Sequence, residues 1–82
     1  MDLIAVFEDL YKSEINFTLS IFWDAGYTVQ IGDDWNGFTD KAEMLDTLDE
    51  VASELVRMAI NRFPDSYFSE KYNKMAVKQS EP

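Results

Sequence analysis

Ile15-Asn16-Phe17-Thr18-Leu19-Ser20-Ile21-Phe22-Trp23, followed by Asp24-Ala25-Gly26 and then Tyr27-Thr28-Val29-Gln30-Ile31, is the stretch that decides the fold. Ile15, Phe17, Leu19, Ile21 and Trp23 recur at period two, with Asn16, Thr18 and Ser20 between them. Successive side chains of a strand point to opposite faces, so this alternation describes a strand with one buried face. Asp24-Ala25-Gly26 carries turn chemistry, and Tyr27, Val29 and Ile31 resume the alternation with Thr28 and Gln30 facing out. An antiparallel hairpin over 15–32 is expected, with Phe17, Leu19, Ile21, Val29 and Ile31 facing a helix. Phe22 breaks the polar face of its strand and is either covered by a helix or seeds a homodimer.

Upstream, residues 2–13 read as an amphipathic helix capped by Asp2. Leu3, Phe7 and Leu10, with Ile4 and Tyr11, recur at helical spacing, while Asp2, Glu8, Asp9 and Lys12 fill the other side. Downstream, Gly32 to Gly37 is a loop by composition. Residues 38–45 alternate as a third strand or open a helix early at Asp40 and Glu43. The strand is favoured, because Thr47-Leu48-Asp49-Glu50 forms a better capping box for a helix that runs to about Phe63. Leu48, Val51, Leu55, Met58, Ala59 and Arg62 lie on or beside one stripe of it, and Pro64 stops it. Asp65 or Ser66 caps a last helix with Tyr67, Phe68, Tyr72 and Met75 on its buried edge, and the chain is expected to fray from about residue 78. The expected architecture is a single α+β domain over 1–82: a small antiparallel sheet, the hairpin plus a third strand, with helices packed on one face.

Composition narrows the function classes. The 82 residues carry 16 acidic and 7 basic side chains, no histidine and no cysteine. Thirteen of the acidic residues fall in the first 56 positions, opposed there by Lys12 and Lys41 alone, for a formal charge of −11; the last 26 residues carry +2. Without histidine the commonest general base is missing, and without cysteine there is no thiolate chemistry, thiolate metal site or disulfide. A protein this acidic is repelled by phosphate, which argues against direct binding of nucleic acid or of an anionic membrane. No signal-like start and no apolar run of the roughly 20 residues needed to cross a bilayer is visible, so a cytoplasmic setting is expected.

Few constellations carry chemistry. Asp34 and Asn36, with Gly37 and Glu43, partly match the spacing of a calcium loop, but Gly32 occupies the position where the first carboxylate is needed. The adjacent pairs Glu8/Asp9, Asp33/Asp34 and Asp49/Glu50 are read as solvated faces rather than as paired acid–base groups. No metal, no cofactor and no catalytic residue is therefore expected. Carboxylates near a helix start complement its dipole, which accounts for part of the acidity of Asp46, Asp49, Glu50 and Glu54. It does not account for Asp24, Asp33, Asp34, Asp40 and Glu43. Trp35, set between Asp34 and Asn36, is either a packing lid or an interface anchor.

Asp24-Ala25-Gly26-Tyr27-Thr28-Val29, then Gly37-Phe38-Thr39, then Thr47-Leu48-Asp49-Glu50-Val51 resemble the corresponding pieces of the small HicB-like antitoxins over about Asp24–Leu55. That resemblance implies a toxin-neutralising module. An additional N-terminal helix, a longer Gly37–Thr47 spacing and no DNA-binding tail depart from that pattern. In size and acidity the chain also looks like the phage-encoded inhibitors of CRISPR and restriction systems.

The leading expectation is a non-enzymatic phage or mobile-element inhibitor of anti-CRISPR type. It would occupy a basic, nucleic-acid-binding groove of a host protein, possessing spaced carboxylates that imitate phosphates. Asp33, Asp34, Trp35, Asp40, Glu43, Asp46, Asp49 and Glu50 are the expected partner-binding residues. The alternatives are an antitoxin module with a basic toxin as partner and a small structural or assembly protein whose charge serves solubility.

Overall fold

The computed structural model describes the backbone of residues 2–33 and 38–80, and the side chains of these except 33, 38, 39 and 75–80. Six elements follow one another: α1 (Leu3–Lys12), β1 (Phe17–Phe22), β2 (Gly26–Asp33), β3 (Phe38–Leu45), α2 (Leu48–Arg62) and α3 (Tyr67–Ser80). The architecture is α+β, with an antiparallel sheet of order β1-β2-β3 and helices against one face. Residues 38–45, readable as strand or helix, form the third strand. No described helix is long and apolar enough to cross a membrane.

Both termini of α1 are set by local hydrogen bonds. Asp2 Oδ1 accepts from the Ile4 and Ala5 amides at 3.0 and 3.4 Å, satisfying donors that a helix start leaves open. At the other end, the Ile15 amide donates to the Leu10 carbonyl (3.0 Å) and the Glu14 amide to the Tyr11 carbonyl (3.1 Å). That pair of bonds is a Schellman motif, and it places Glu14 in the left-handed region at φ 59°. Ile15 is buried beside Leu10, as the motif's hydrophobic contact requires. The strand therefore begins at Phe17, two residues later than the alternation suggests.

Phe17 pairs with Ile31 and Leu19 with Val29, and the register continues to Ile21 opposite Tyr27 and Phe22 opposite Gly26. The Ala25 amide closes the turn onto the Phe22 carbonyl at 3.1 Å. Gly26 follows at φ 87°, where a Cβ would collide with the Leu45 carbonyl oxygen of β3. Across β2 and β3, Val29 meets Ala42 and Tyr27 meets Leu45, so Glu43 and Met44 oppose Thr28 alone. This is a β-bulge, and Met44 takes the left-handed conformation (φ 59°) within it.

The helix-facing core is Val6 and Leu10 of α1, Ile15, Val29 and Ile31 of β2, Val51, Ala52, Leu55, Met58 and Ala59 of α2, and Phe68 and Tyr72 of α3. Helix α2 lies over β2 and β3, returning antiparallel to β3 so that Arg62 reaches Asp40 at 3.4 Å. Helix α1 covers only the start of β1, where the Phe7 and Phe17 rings stack at 5.2 Å. The far end of β1 outruns the helical layer. Of the five hairpin residues expected to face a helix, Val29 and Ile31 are buried, Phe17 and Leu19 are half-buried, and Ile21 is 65% exposed. Trp23, expected on the same face, is 96% exposed beyond the end of the strand. Ile4, Tyr11 and Tyr67 are exposed as well.

Asp9 departs furthest from expectation. It reads as part of the solvent face of α1, yet it is 4% exposed beneath α3. Lys71 Nζ and the Tyr72 hydroxyl both donate to its Oδ2, at 2.9 and 2.7 Å. Burial alone would raise the pKa of Asp9, but these hydrogen bonds, with the charges of Lys71 and Lys12, hold it below the ordinary carboxylate value. The same contact raises Lys71, while burial and Asp9 push the Tyr72 phenol far up.

Candidate functional site

Of the expected partner-binding residues, Asp40, Glu43, Asp46, Asp49 and Glu50 have described side chains. Asp33 and Phe38 pair at one end of the sheet, whereas β3 carries the chain away from them to Asp46. Asp40 and Asp46 are six residues apart along an extended segment, a separation of roughly 20 Å at about 3.3 Å per residue. Asp34 and Trp35 lie outside the described residues. Asp33 is described in its backbone alone. Asp40 is half-buried and engaged with Arg62, so it ties β3 to the end of α2.

The structure does gather Glu43, Asp46, Asp49 and Glu50. All four are exposed, where β3 leaves its bulge and α2 begins. Of the capping box expected at Thr47, the N-cap half is present, and the Glu50 side chain reaches back to the amide of Asp46 rather than to that of Thr47. Thr47 Oγ1 accepts from the Glu50 amide at 3.1 Å, and Glu50 Oε2 accepts from the Asp46 amide at 3.1 Å. Glu50 is thus partly committed to holding the helix start. Glu43 lies 3.7 Å from Lys41. Among the described residues no cation pairs with Asp46 or Asp49.

Beside them is a shallow groove of about 340 Å³ lined by Leu45, Asp49, Glu50, Ser53 and Glu54. Glu54 Oε2 accepts from Arg57 Nη2 and Nε at 2.6 and 2.9 Å, which raises the guanidinium pKa and closes the groove's far side with a neutralised pair. Leu45 contributes apolar surface to the lining, and Asp49 and Glu50 contribute carboxylates that no cation among the described residues pairs with. Such a lining suits a long cationic side chain, whose methylenes rest on apolar surface while its head group meets carboxylate.

Among the described residues no three acidic side chains converge closely enough to hold a metal ion. The segments flanking 34–37 are strands rather than the helices that a helix–loop–helix calcium site uses. Asp9 has the burial and the hydrogen bonds of a functional carboxylate, but it lines none of the described grooves, and its partners fix α1 to α3.

Sequence reasoning overlooked two features. Asp9 stands among Glu8 and Lys12 in a pattern of ordinary surface charge, and only the arrival of Lys71 and Tyr72 from 62 and 63 residues away distinguishes it. Trp23 was hidden by its alternation with Ile21, which identifies a shared face without saying whether anything covers it. Neither a family model nor a curated protein nor a solved structure matches this chain.

Proposed function

We propose that this protein is a non-enzymatic inhibitor that docks a basic, nucleic-acid-binding surface of a host defence protein, as anti-CRISPR proteins do. The contact surface is the acidic corner where β3 meets α2: Glu43, Asp46, Asp49 and Glu50, with the groove that Asp49 and Glu50 border. The observation that carries the reading is the exposure of Asp46 and Asp49 without a cationic partner among the described residues, beside a groove lined by further carboxylates. Dipole complementarity accounts for part of the acidity of Asp46, Asp49 and Glu50 at the start of α2, but not for Glu43 on β3. A basic groove evolved for phosphates attracts such a corner at long range and speeds encounter.

The test is a paired capture from the heparin-binding fraction of a host lysate, using the wild type and an Asp46→Lys/Asp49→Lys variant. Both positions are exposed, so the variant should melt within a few degrees of wild type. Wild type alone should retain a basic protein, displace labelled duplex DNA from it, and release it as salt rises. Equal retention by the two proteins, or retention without displacement of nucleic acid, removes the basis for this reading. Recovery of a small basic toxin instead of a nucleic-acid-binding effector would assign the same surface to an antitoxin.

A further inference from the structure

We infer that the outer edge of β1, unpaired among the described residues, is a self-association surface, on which a second copy of this chain adds its own β1 antiparallel to form a continuous six-stranded sheet. An edge strand presents unpaired amides and carbonyls, and proteins usually blunt it with charges, proline or a bulge. The two edges of this sheet differ in that respect. β3 carries Asp40, Lys41 and Glu43 and is broken by the bulge at Glu43 and Met44. β1 is Phe-Thr-Leu-Ser-Ile-Phe, with no charge, no proline and no bulge, in a protein of formal charge −9.

The alternation of β1 is set by the Gly32 amide, which donates to the Asn16 carbonyl at 2.8 Å. Asn16, Thr18 and Ser20 thus turn their backbone groups toward β2, while Phe17, Leu19 and Ile21 turn theirs to the open edge. The side chains at this edge are apolar as well. Ile21, Phe22 and Trp23 are exposed beyond the cover of the helices. On the α1 side, Tyr11 (83% exposed) borders a largely apolar groove of about 350 Å³ with Phe7 and Phe17, flanked by the opposite charges of Glu8 and Lys12.

A second copy is the occupant that fits. Two such chains repel each other wherever acidic surfaces meet, and β1 is the uncharged approach. A two-fold axis at Ser20 sets Leu19 opposite Ile21 of the second copy and Thr18 opposite Phe22. It also brings Trp23 of the second copy to Phe17, which already stacks on Phe7. The apolar end that the helices of one copy leave bare is thereby covered by the other. A register centred on Leu19 would instead set Trp23 opposite Ile15, which lies outside β1. This surface lies on the sheet edge opposite the acidic corner and stands independently of the function proposed for that corner.

The absence of cysteine permits a clean test. Ser20 sits at the axis in a pair whose Cα atoms approach to about 4.5 Å, within disulfide range, whereas Thr18 residues of two copies are offset along the strand. Ser20→Cys should oxidise to a covalent dimer on the order of tenfold faster than Thr18→Cys. In sedimentation equilibrium the wild type should show twice the monomer mass of 9.5 kDa. Its dimer should tighten as salt screens the two like charges, the opposite of the salt response of an acidic–basic complex. Ile21→Lys, a change at an exposed position, should retain the wild-type circular dichroism spectrum and sediment as a monomer. A monomeric wild type at high protein and salt concentration, equal oxidation rates at positions 18 and 20, or a folded Ile21→Lys that stays dimeric would each overturn the inference.

Discussion

Asp9 shows how a single carboxylate becomes part of a fold. Ionised, it accepts from Lys71 and from the buried Tyr72 hydroxyl, and so fixes α3 against α1. Its pKa is lowered in the folded state, so its contribution to stability is present above the unfolded value of about 3.8 and is lost as pH falls through the folded value. Lys71 is raised, so its contribution is complete below its ordinary value and is lost only in strong alkali. Asp9→Asn keeps the shape but removes the charge. It should cost about 1–2 kcal/mol in urea unfolding at pH 7, the scale of a charge-assisted hydrogen bond reduced to a neutral one. The gap between the two proteins should narrow only as pH falls below the ordinary carboxylate value of 3.8, and close once the wild-type carboxyl is protonated at its lowered folded value. A gap unchanged at pH 3 would mean that packing, not charge, sets the value of this residue.

At the scale of elements, the hairpin, the Thr47 N-cap and the stop at Pro64 were legible because each depends on neighbours in sequence. Period two with an Asp-Ala-Gly turn needs no tertiary information to be read as a hairpin. The C-terminus of α1 depended on local signals too, but its residue misled. A Schellman motif favours glycine at the position after the cap, and here the residue is Glu14 at φ 59°. With no glycine to mark the stop, the alternation of Ile15 with Phe17 extended the strand into what is the end of a helix. Glu14 is exposed, so its side chain contributes little burial to offset a left-handed conformation that costs an ordinary residue about 1–2 kcal/mol. Glu14→Gly should therefore raise stability by about 0.5–1 kcal/mol, the backbone gain being reduced by glycine's greater freedom in the unfolded chain. Thermal and urea melts of the two proteins at pH 7 measure it directly; a destabilised Glu14→Gly would show that the Glu14 side chain has a role beyond its backbone geometry.

For the whole molecule, what the sequence could not convey is coverage. Alternation assigned Phe17, Leu19, Ile21, Val29 and Ile31 to one face, and helical spacing gave α2 its buried Val51, Leu55, Met58 and Ala59. Neither pattern states how far α1 and α2 reach along the sheet, which decides that Ile31 is buried and Ile21 exposed. The same gap separates the candidate site into parts: Asp40 and Asp46 are near in sequence but held far apart by an extended strand. Coverage and charge together set the stability of so small a domain. Four ion pairs are present among the described residues, and three of them join side chains largely in water, where each contributes at most about 0.5–1 kcal/mol. Against them stands the mutual repulsion of a chain with formal charge −9. Salt weakens both, but the pairs engage few of the 16 acidic side chains and the repulsion acts among all of them. Relief of repulsion should therefore win. The melting temperature at pH 7 should rise by a few degrees between about 10 and 300 mM NaCl, since 1 kcal/mol moves a domain of this size by about 4–8 °C. The Asp46→Lys/Asp49→Lys protein, with four units less negative charge, should show a smaller rise. A melting temperature that falls with salt in the wild type would mean that the ion pairs, the Asp9 tether foremost, outweigh the repulsion and that the acidity costs the fold little.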